Sequence, residues 1–206
     1  MRRAVTHLKK SDPVLAAIIA SVGMPKIAQR PATFWALARS IVFQQLNGKA
    51  ATTIFNRLET AAGGELTPHS LLVLTEEQLR AVGLSKQKAS YLRDLAQRTA
   101  SGELDFAILP AMSDAEVIEH LTRIKGIGEW TAQMFLMFAL QRLDVMPTAD
   151  YGIRAAIKKA YRMRKLPTPK RMLKLAEKWR PYCTIACWYL WRSVDVATVA
   201  DGKPKR

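Results

Sequence analysis

Apolar residues recur at intervals of three and four along nearly the whole chain, and no segment alternates with a period of two. Helical spacing gathers the apolar side chains of a segment on one face, whereas a half-buried strand needs strict alternation. The pattern therefore predicts an all-α fold. Phe34, Leu37, Ile41 and Leu46 form one stripe, and Ala50, Ile54 and Leu58 continue it after Gly48. Thr75 with Gln78, and Ser113 with Glu116, have the spacing of capping boxes at helix starts. Ser85 to Ala100 reads as a helix with Ala89, Leu92, Leu95 and Ala96 inward. Glu129 to Leu140, Tyr151 to Tyr161, Pro169 to Trp179 and Tyr182 to Val194 follow as further helices. Gly63-Gly64 and Gly102 punctuate them, and the tail over 201–206 is expected to fray.

At 206 residues the chain is long enough to bury a substantial core. Its 32 Lys and Arg against 17 Asp and Glu give a formal charge of +15, which points to a polyanionic partner, nucleic acid first. Between Lys158 and Arg180, ten basic residues face Glu177 alone, a block suited to tracking phosphates. The only cysteines, Cys183 and Cys187, cannot supply a four-cysteine zinc or iron–sulfur site. They read as buried small hydrophobes in a reducing compartment. Met1 to Lys10 and Val14 to Val22 mimic a short signal peptide, but Asp12-Pro13 interrupts the pattern and no small-residue cleavage site follows. Ser11 or Asp12 as N-cap with Pro13 in the first turn predicts a small soluble helix instead. The apolar block Trp130–Leu140 is too short to span a membrane, so no membrane partner is expected.

Gly126 and Gly128 flank Ile127 between two predicted helices, in the run Leu121 to Met134. Glycines there permit positive φ and close approach of a foreign backbone. The amides opening the following helix lie at the positive end of its dipole, a phosphate site without sequence preference. The segment thus reads as a helix-hairpin-helix, with Lys125, Gly126, Ile127 and Gly128 as its DNA-binding turn. Asp150 stands where a helix begins. The free amides and the positive end of the helix dipole there favour an ionised carboxylate.

The hairpin, the apolar helix after it, and Met146-Pro147-Thr148-Ala149-Asp150-Tyr151-Gly152-Ile153-Arg154 resemble the helix-hairpin-helix DNA glycosylase superfamily. Within it the similarity is to the alkylation-repair branch, 3-methyladenine DNA glycosylase II. The likeness runs from about Phe34 to Trp191 and includes the stretch from Ser40 to Ala51 and Trp179-Arg180-Pro181-Tyr182. The compact form, without the β-rich N-terminal domain of longer members, is the version this chain resembles.

The resemblance implies a single glycosylase domain over 1–206 with two helical subdomains and an active-site cleft between them. One subdomain, at about 31–145, carries wedge and hairpin; the other takes about 1–30 and 146–200. It implies Asp150 as the catalytic carboxylate and Trp130, Met134, Gly152 and Trp191 around the flipped base. Met134 and Gly152 depart from the family's bulkier residues. Gln45, Leu46 and Asn47 match the loop that wedges into the duplex. Trp130 occupies the position of the catalytic lysine of strand-cleaving members, so no Schiff base with the sugar is expected. The function implied is a monofunctional glycosylase that hydrolyses alkylated bases from double-stranded DNA and leaves an abasic site. It would act as an intracellular monomer, upstream of an abasic-site nuclease and with no cofactor required. By the same resemblance, carbonyls of Thr122, Ile124 and Ile127 hold a structural Na⁺ or K⁺. Trp35, Trp179, Trp188 and Tyr189 read as packing residues. The alternative is a non-catalytic helix-hairpin-helix DNA-binding module, in which Asp150 is a plain helix cap.

Overall fold

The computed structural model describes residues 1–200, with side chains described as far as 194; the tail expected to fray lies outside them. The described residues form twelve α-helices and no strand. They are α1 (Arg2–Ser11), α2 (Pro13–Val22), α3 (Phe34–Phe43), α4 (Gly48–Ala61), α5 (Pro68–Leu72) and α6 (Glu76–Ala81). Then come α7 (Lys86–Ala100), α8 (Asp114–Thr122), α9 (Glu129–Phe138), α10 (Tyr151–Ala160), α11 (Pro169–Ala176) and α12 (Cys183–Ala200).

Both capping boxes form: Thr75 with Gln78 opens α6, and Ser113 with Glu116 opens α8. Asp12 caps α2 ahead of Pro13, and Ser85 caps α7, whose Leu92, Leu95 and Ala96 are fully buried. The helix α1 was not anticipated: its buried face of Ala4, Val5 and Leu8 is narrow and lies among four basic residues. One expected stripe is corrected. Ala51, Phe55 and Leu58 are the buried positions of α4, while Ala50 and Ile54 are only half-buried. The helix breaks after Phe43, where Gln45 takes φ +56°, so α4 starts in a new phase and Leu46 is left outside either stripe.

The chain divides into two compact units. The first combines Met1–Gln29 with the residues from Gln141 onward; the second is Arg30–Leu140. The expected boundary at residue 145 moves to 140 for a physical reason. The Thr184 hydroxyl donates to the Arg142 carbonyl at 2.6 Å and accepts from the Val145 amide at 3.1 Å. Arg180 adds an ion pair to Asp144 at 2.6 Å, so residues 142–145 are bound to the segment around the start of α12.

In the first unit, α2 and α10 pack against α12, burying Leu15, Ile19, Ile153, Ile157 and Tyr189. Its polar centre is Asp12, which is 0% exposed. The carboxylate accepts from the Val14 amide at 2.9 Å, the Trp179 indole at 2.8 Å and the Tyr161 hydroxyl, and pairs with Lys178 at 3.0 Å. Burial pushes its pKa up, but these hydrogen bonds and the Lys178 charge outweigh it and hold the group below the usual aspartate value. Cys183 and Cys187 are buried free thiols, both pushed up in pKa by burial, in keeping with an inert core role. Trp179, Trp188 and Tyr189 are core residues as expected, but Trp35 is partly exposed and donates to Glu59 at 2.6 Å.

In the second unit, α3 and α5 pack on α7, and α8 pairs with α9 to form the hairpin. Each fully buried leucine here, Leu37, Leu58, Leu71, Leu92 and Leu95 among them, contributes about 1.5–3 kcal/mol through removal of apolar surface from water.

Candidate active site and nucleic-acid interface

The turn between α8 and α9 needs glycine at one position for its backbone and at the other for its surface. Gly126 adopts φ +80°, and a Cβ there would lie 2.0 Å from the Tyr91 ring. Gly128 has φ −92° and open space where a Cβ would be, so its value is a clear face for an approaching backbone. The Ile127 side chain is buried and its amide donates back to the Ile124 carbonyl at 3.1 Å, so Ile127 presents backbone alone. Gly128 caps α9 with no side-chain acceptor, which leaves the positive end of that helix open to an anion. The Lys125 amide donates to Asp94 at 2.9 Å and its ammonium lies 3.8 Å from the same carboxylate. Gly126→Ala is expected to lower stability by about 3 kcal/mol, because it adds a strained φ and an overlap with a ring that is already packed. Urea denaturation checks this; an unchanged midpoint would contradict the geometry.

The proposed wedge residues fall in three different situations. Leu46 is 39% exposed at the tip of the break between α3 and α4. Gln45 is exposed in the left-handed conformation. Asn47 is a helix cap, its side chain accepting from the Ala50 amide at 2.9 Å, so its carbonyl is engaged in α4. Beside them opens a cavity of about 610 Å³ whose walls include Phe43, Gln44, Gln45, Gly126, Trp130 and Met134. Trp130 is 45% exposed and Met134 half-buried, so both expected pocket residues of this unit do reach one cavity.

Sequence reasoning missed the rest of the wall. Phe135, Phe138, Arg30 and Arg39 also line it. The Arg39 guanidinium lies 3.8 Å from the Phe43 ring centroid, and burial together with the Arg30 charge lowers its pKa. The i, i+4 series Trp35, Arg39, Phe43 is the available signal, and in sequence it does not differ from an ordinary amphipathic helix face.

In the other unit Asp150 is the N-cap of α10 and only 7% exposed. Its Oδ1 accepts from the Ile153 amide at 2.7 Å and from the Trp191 indole nitrogen at 3.1 Å. Trp191 therefore orients the carboxylate in addition to any stacking role. Gly152 completes the arrangement: a Cβ there would sit 3.2 Å from Asp150 Oδ1 and 3.2 Å from two atoms of the Trp191 indole. Asp144, the other aspartate nearby in sequence, is used up by Arg180 and the Cys183 amide.

The basic block is less uniform than its composition promised. Lys178 and Arg180 are spent on Asp12 and Asp144. Lys158, Lys159 and Arg162 instead line a groove of about 640 Å³ with the exposed Tyr151, and no carboxylate contributes to its walls.

Residues 38–181 match the HhH-GPD superfamily base excision DNA repair protein model. Over all of its length the chain is 35% identical to DNA-3-methyladenine glycosylase 1 of Schizosaccharomyces pombe, of which it covers 93%. A crystal structure of a DNA-3-methyladenine glycosidase from Bacillus halodurans superposes with a TM-score of 0.85 at 39% identity, over 97% of this chain and 92% of that one. The S. pombe 3-methyladenine DNA glycosylase in complex with abasic DNA gives 0.83 at 36% identity, over 95% and 98%. A glycine turn opening an uncapped helix, a helix-capping aspartate braced by an indole, and above all this likeness across the whole chain place it in the HhH-GPD superfamily of base excision DNA repair proteins.

Proposed function

We propose that the chain is a monofunctional DNA glycosylase of base excision repair, releasing alkylated bases of the 3-methyladenine and 7-methylguanine class from duplex DNA. The observation that carries this is the Asp150 carboxylate, buried and fixed by Ile153 and Trp191. Ring-alkylated purines already carry positive charge, so their bond to the sugar is weak and departure needs no strong general acid. What remains is to stabilise the oxocarbenium-like sugar, and a fixed carboxylate does so through charge. Water completes the reaction. Trp130 stands where strand-cleaving members carry lysine, so the product is an intact strand with an abasic site.

The hairpin from Lys125 to Gly128 holds the backbone, Leu46 enters the stack left by the extruded nucleotide, and the aromatic wall around Trp130 receives the base. A Na⁺ or K⁺ on the carbonyls of Thr122, Ile124 and Ile127 would fix the hairpin against a phosphate. The Ile124 carbonyl accepts one hydrogen bond, from Ile127, and keeps a second lone pair for such an ion. The protein acts as an intracellular monomer without a cofactor, and its product passes to an abasic-site nuclease. Among the described residues no helix is long and apolar enough to cross a membrane.

Incubation with methylated duplex DNA, followed by chromatography of freed bases, is expected to yield 3-methyladenine with uncut strands. Borohydride is expected to trap no covalent adduct. Intact methylated DNA would leave only a binding module, and a trapped adduct would assign a lyase.

A further inference from the structure

The segment that carries Leu46 is attached to the rest of its unit in an unusual way. It follows the C-terminus of α3, where the last carbonyls have no partners within the helix. Lys88, on α7, supplies them. Its ammonium donates to the Val42 carbonyl at 2.7 Å and to the Gln44 carbonyl at 2.7 Å. It is half-buried, and burial lowers its pKa, yet two short bonds at the negative end of α3 compensate the charge. From the same residue of the loop, the Gln44 side-chain amide donates to the Gly126 carbonyl at 2.8 Å, inside the hairpin turn.

Helix α7 reaches the hairpin directly as well. Tyr91, one turn beyond Lys88, fills the space beside Gly126, and Asp94, three residues further, accepts from the Lys125 amide. Lys88, Tyr91 and Asp94 thus lie on one stripe of α7 and brace the loop and the hairpin from a single rod. The left-handed Gln45 sits immediately after the clamped carbonyl of Gln44. A strained backbone of that kind persists only where its surroundings over-determine it.

We infer that Lys88 is the positioning residue of the wedge: it mounts the Gln44–Leu46 loop on the same support as the phosphate-binding hairpin, so that gripping the backbone aims Leu46 at the base stack. The inference rests on the glycosylase reading for its outcome in base release, but not for the geometry it tests. Loss of the brace leaves the hairpin itself, and therefore most backbone affinity, in place. It also frees the loop to move by an ångström or more, a displacement that costs a reaction about 10²-fold.

The test uses Lys88→Met, Lys88→Arg and the control Lys86→Met, an exposed lysine on the same helix. Insertion is read with 2-aminopurine beside a stable abasic-site analogue in duplex DNA, affinity by titration of the same duplex, and release in single turnovers on methylated DNA. Lys88→Met is expected to lose most of the fluorescence rise and about 10²-fold in release, with affinity little changed. Lys88→Arg, whose fork also offers donors to two carbonyls, is expected to recover much of both, and Lys86→Met to match the parent. A Lys88→Met protein that unstacks 2-aminopurine as well as the parent overturns the inference, as does a parent that never unstacks it. Should Lys88→Met fail to fold, Gln44→Leu removes the other arm of the brace and must show the same loss of insertion. A parent that unstacks 2-aminopurine but releases no base would overturn the glycosylase reading while leaving the role of Lys88 standing.

Discussion

Asp150→Asn is expected to slow base release by about 10²–10³-fold, the range for removing one preorganised electrostatic contact from a transition state. The substitution is close to isosteric. An asparagine keeps an oxygen that can accept from the Ile153 amide and the Trp191 indole, so α10 remains capped and the fold intact. Only the charge is removed. Binding to a duplex with an abasic-site analogue is therefore expected to persist, because the phosphate contacts proposed for the hairpin do not involve this carboxylate. Single-turnover release on methylated DNA, alongside a binding titration, separates the two. A variant that releases base at the parental rate would reduce Asp150 to a helix cap.

The largest effect on stability is expected at Asp12. Asp12→Ala removes the cap of α2 and leaves the Trp179 indole, the Tyr161 hydroxyl and the Lys178 ammonium without their shared acceptor. Breaking one side of a buried charged cluster costs about 3–5 kcal/mol. The pH dependence has a definite sign. The folded pKa lies below the ordinary value of 3.8, so the stabilisation is fully present above that value and disappears as pH falls through the folded pKa. Urea midpoints of parent and variant are thus expected to differ most near neutrality and to converge in acid. A gap that widened in acid would mean that the carboxyl is held protonated.

Much of this was legible in the sequence because it depends on local rules. Capping residues placed the starts of α6, α7 and α8, since Thr75, Ser85 and Ser113 act on amides only three positions away. The glycine turn and Asp150 were legible for the same reason, and family resemblance supplied their roles. What could not be read depends on distant partners. Nothing near Lys88 in sequence indicates that it serves carbonyls more than forty positions away. The ten basic residues from Lys158 to Arg180 looked equivalent until Asp12 and Asp144 claimed two of them.

The way the first unit is assembled bears on how the polypeptide matures during synthesis. Its Met1–Gln29 portion leaves the ribosome long before the helix it must lie against, and α2 offers Leu15 and Ile19 to a partner, α12, that begins only at Cys183. Arg30–Leu140 meanwhile has every residue of its own core once the chain has passed Leu140. Translation therefore favours an order in which the Arg30–Leu140 unit can condense first, while the apolar face of α2 waits for α12.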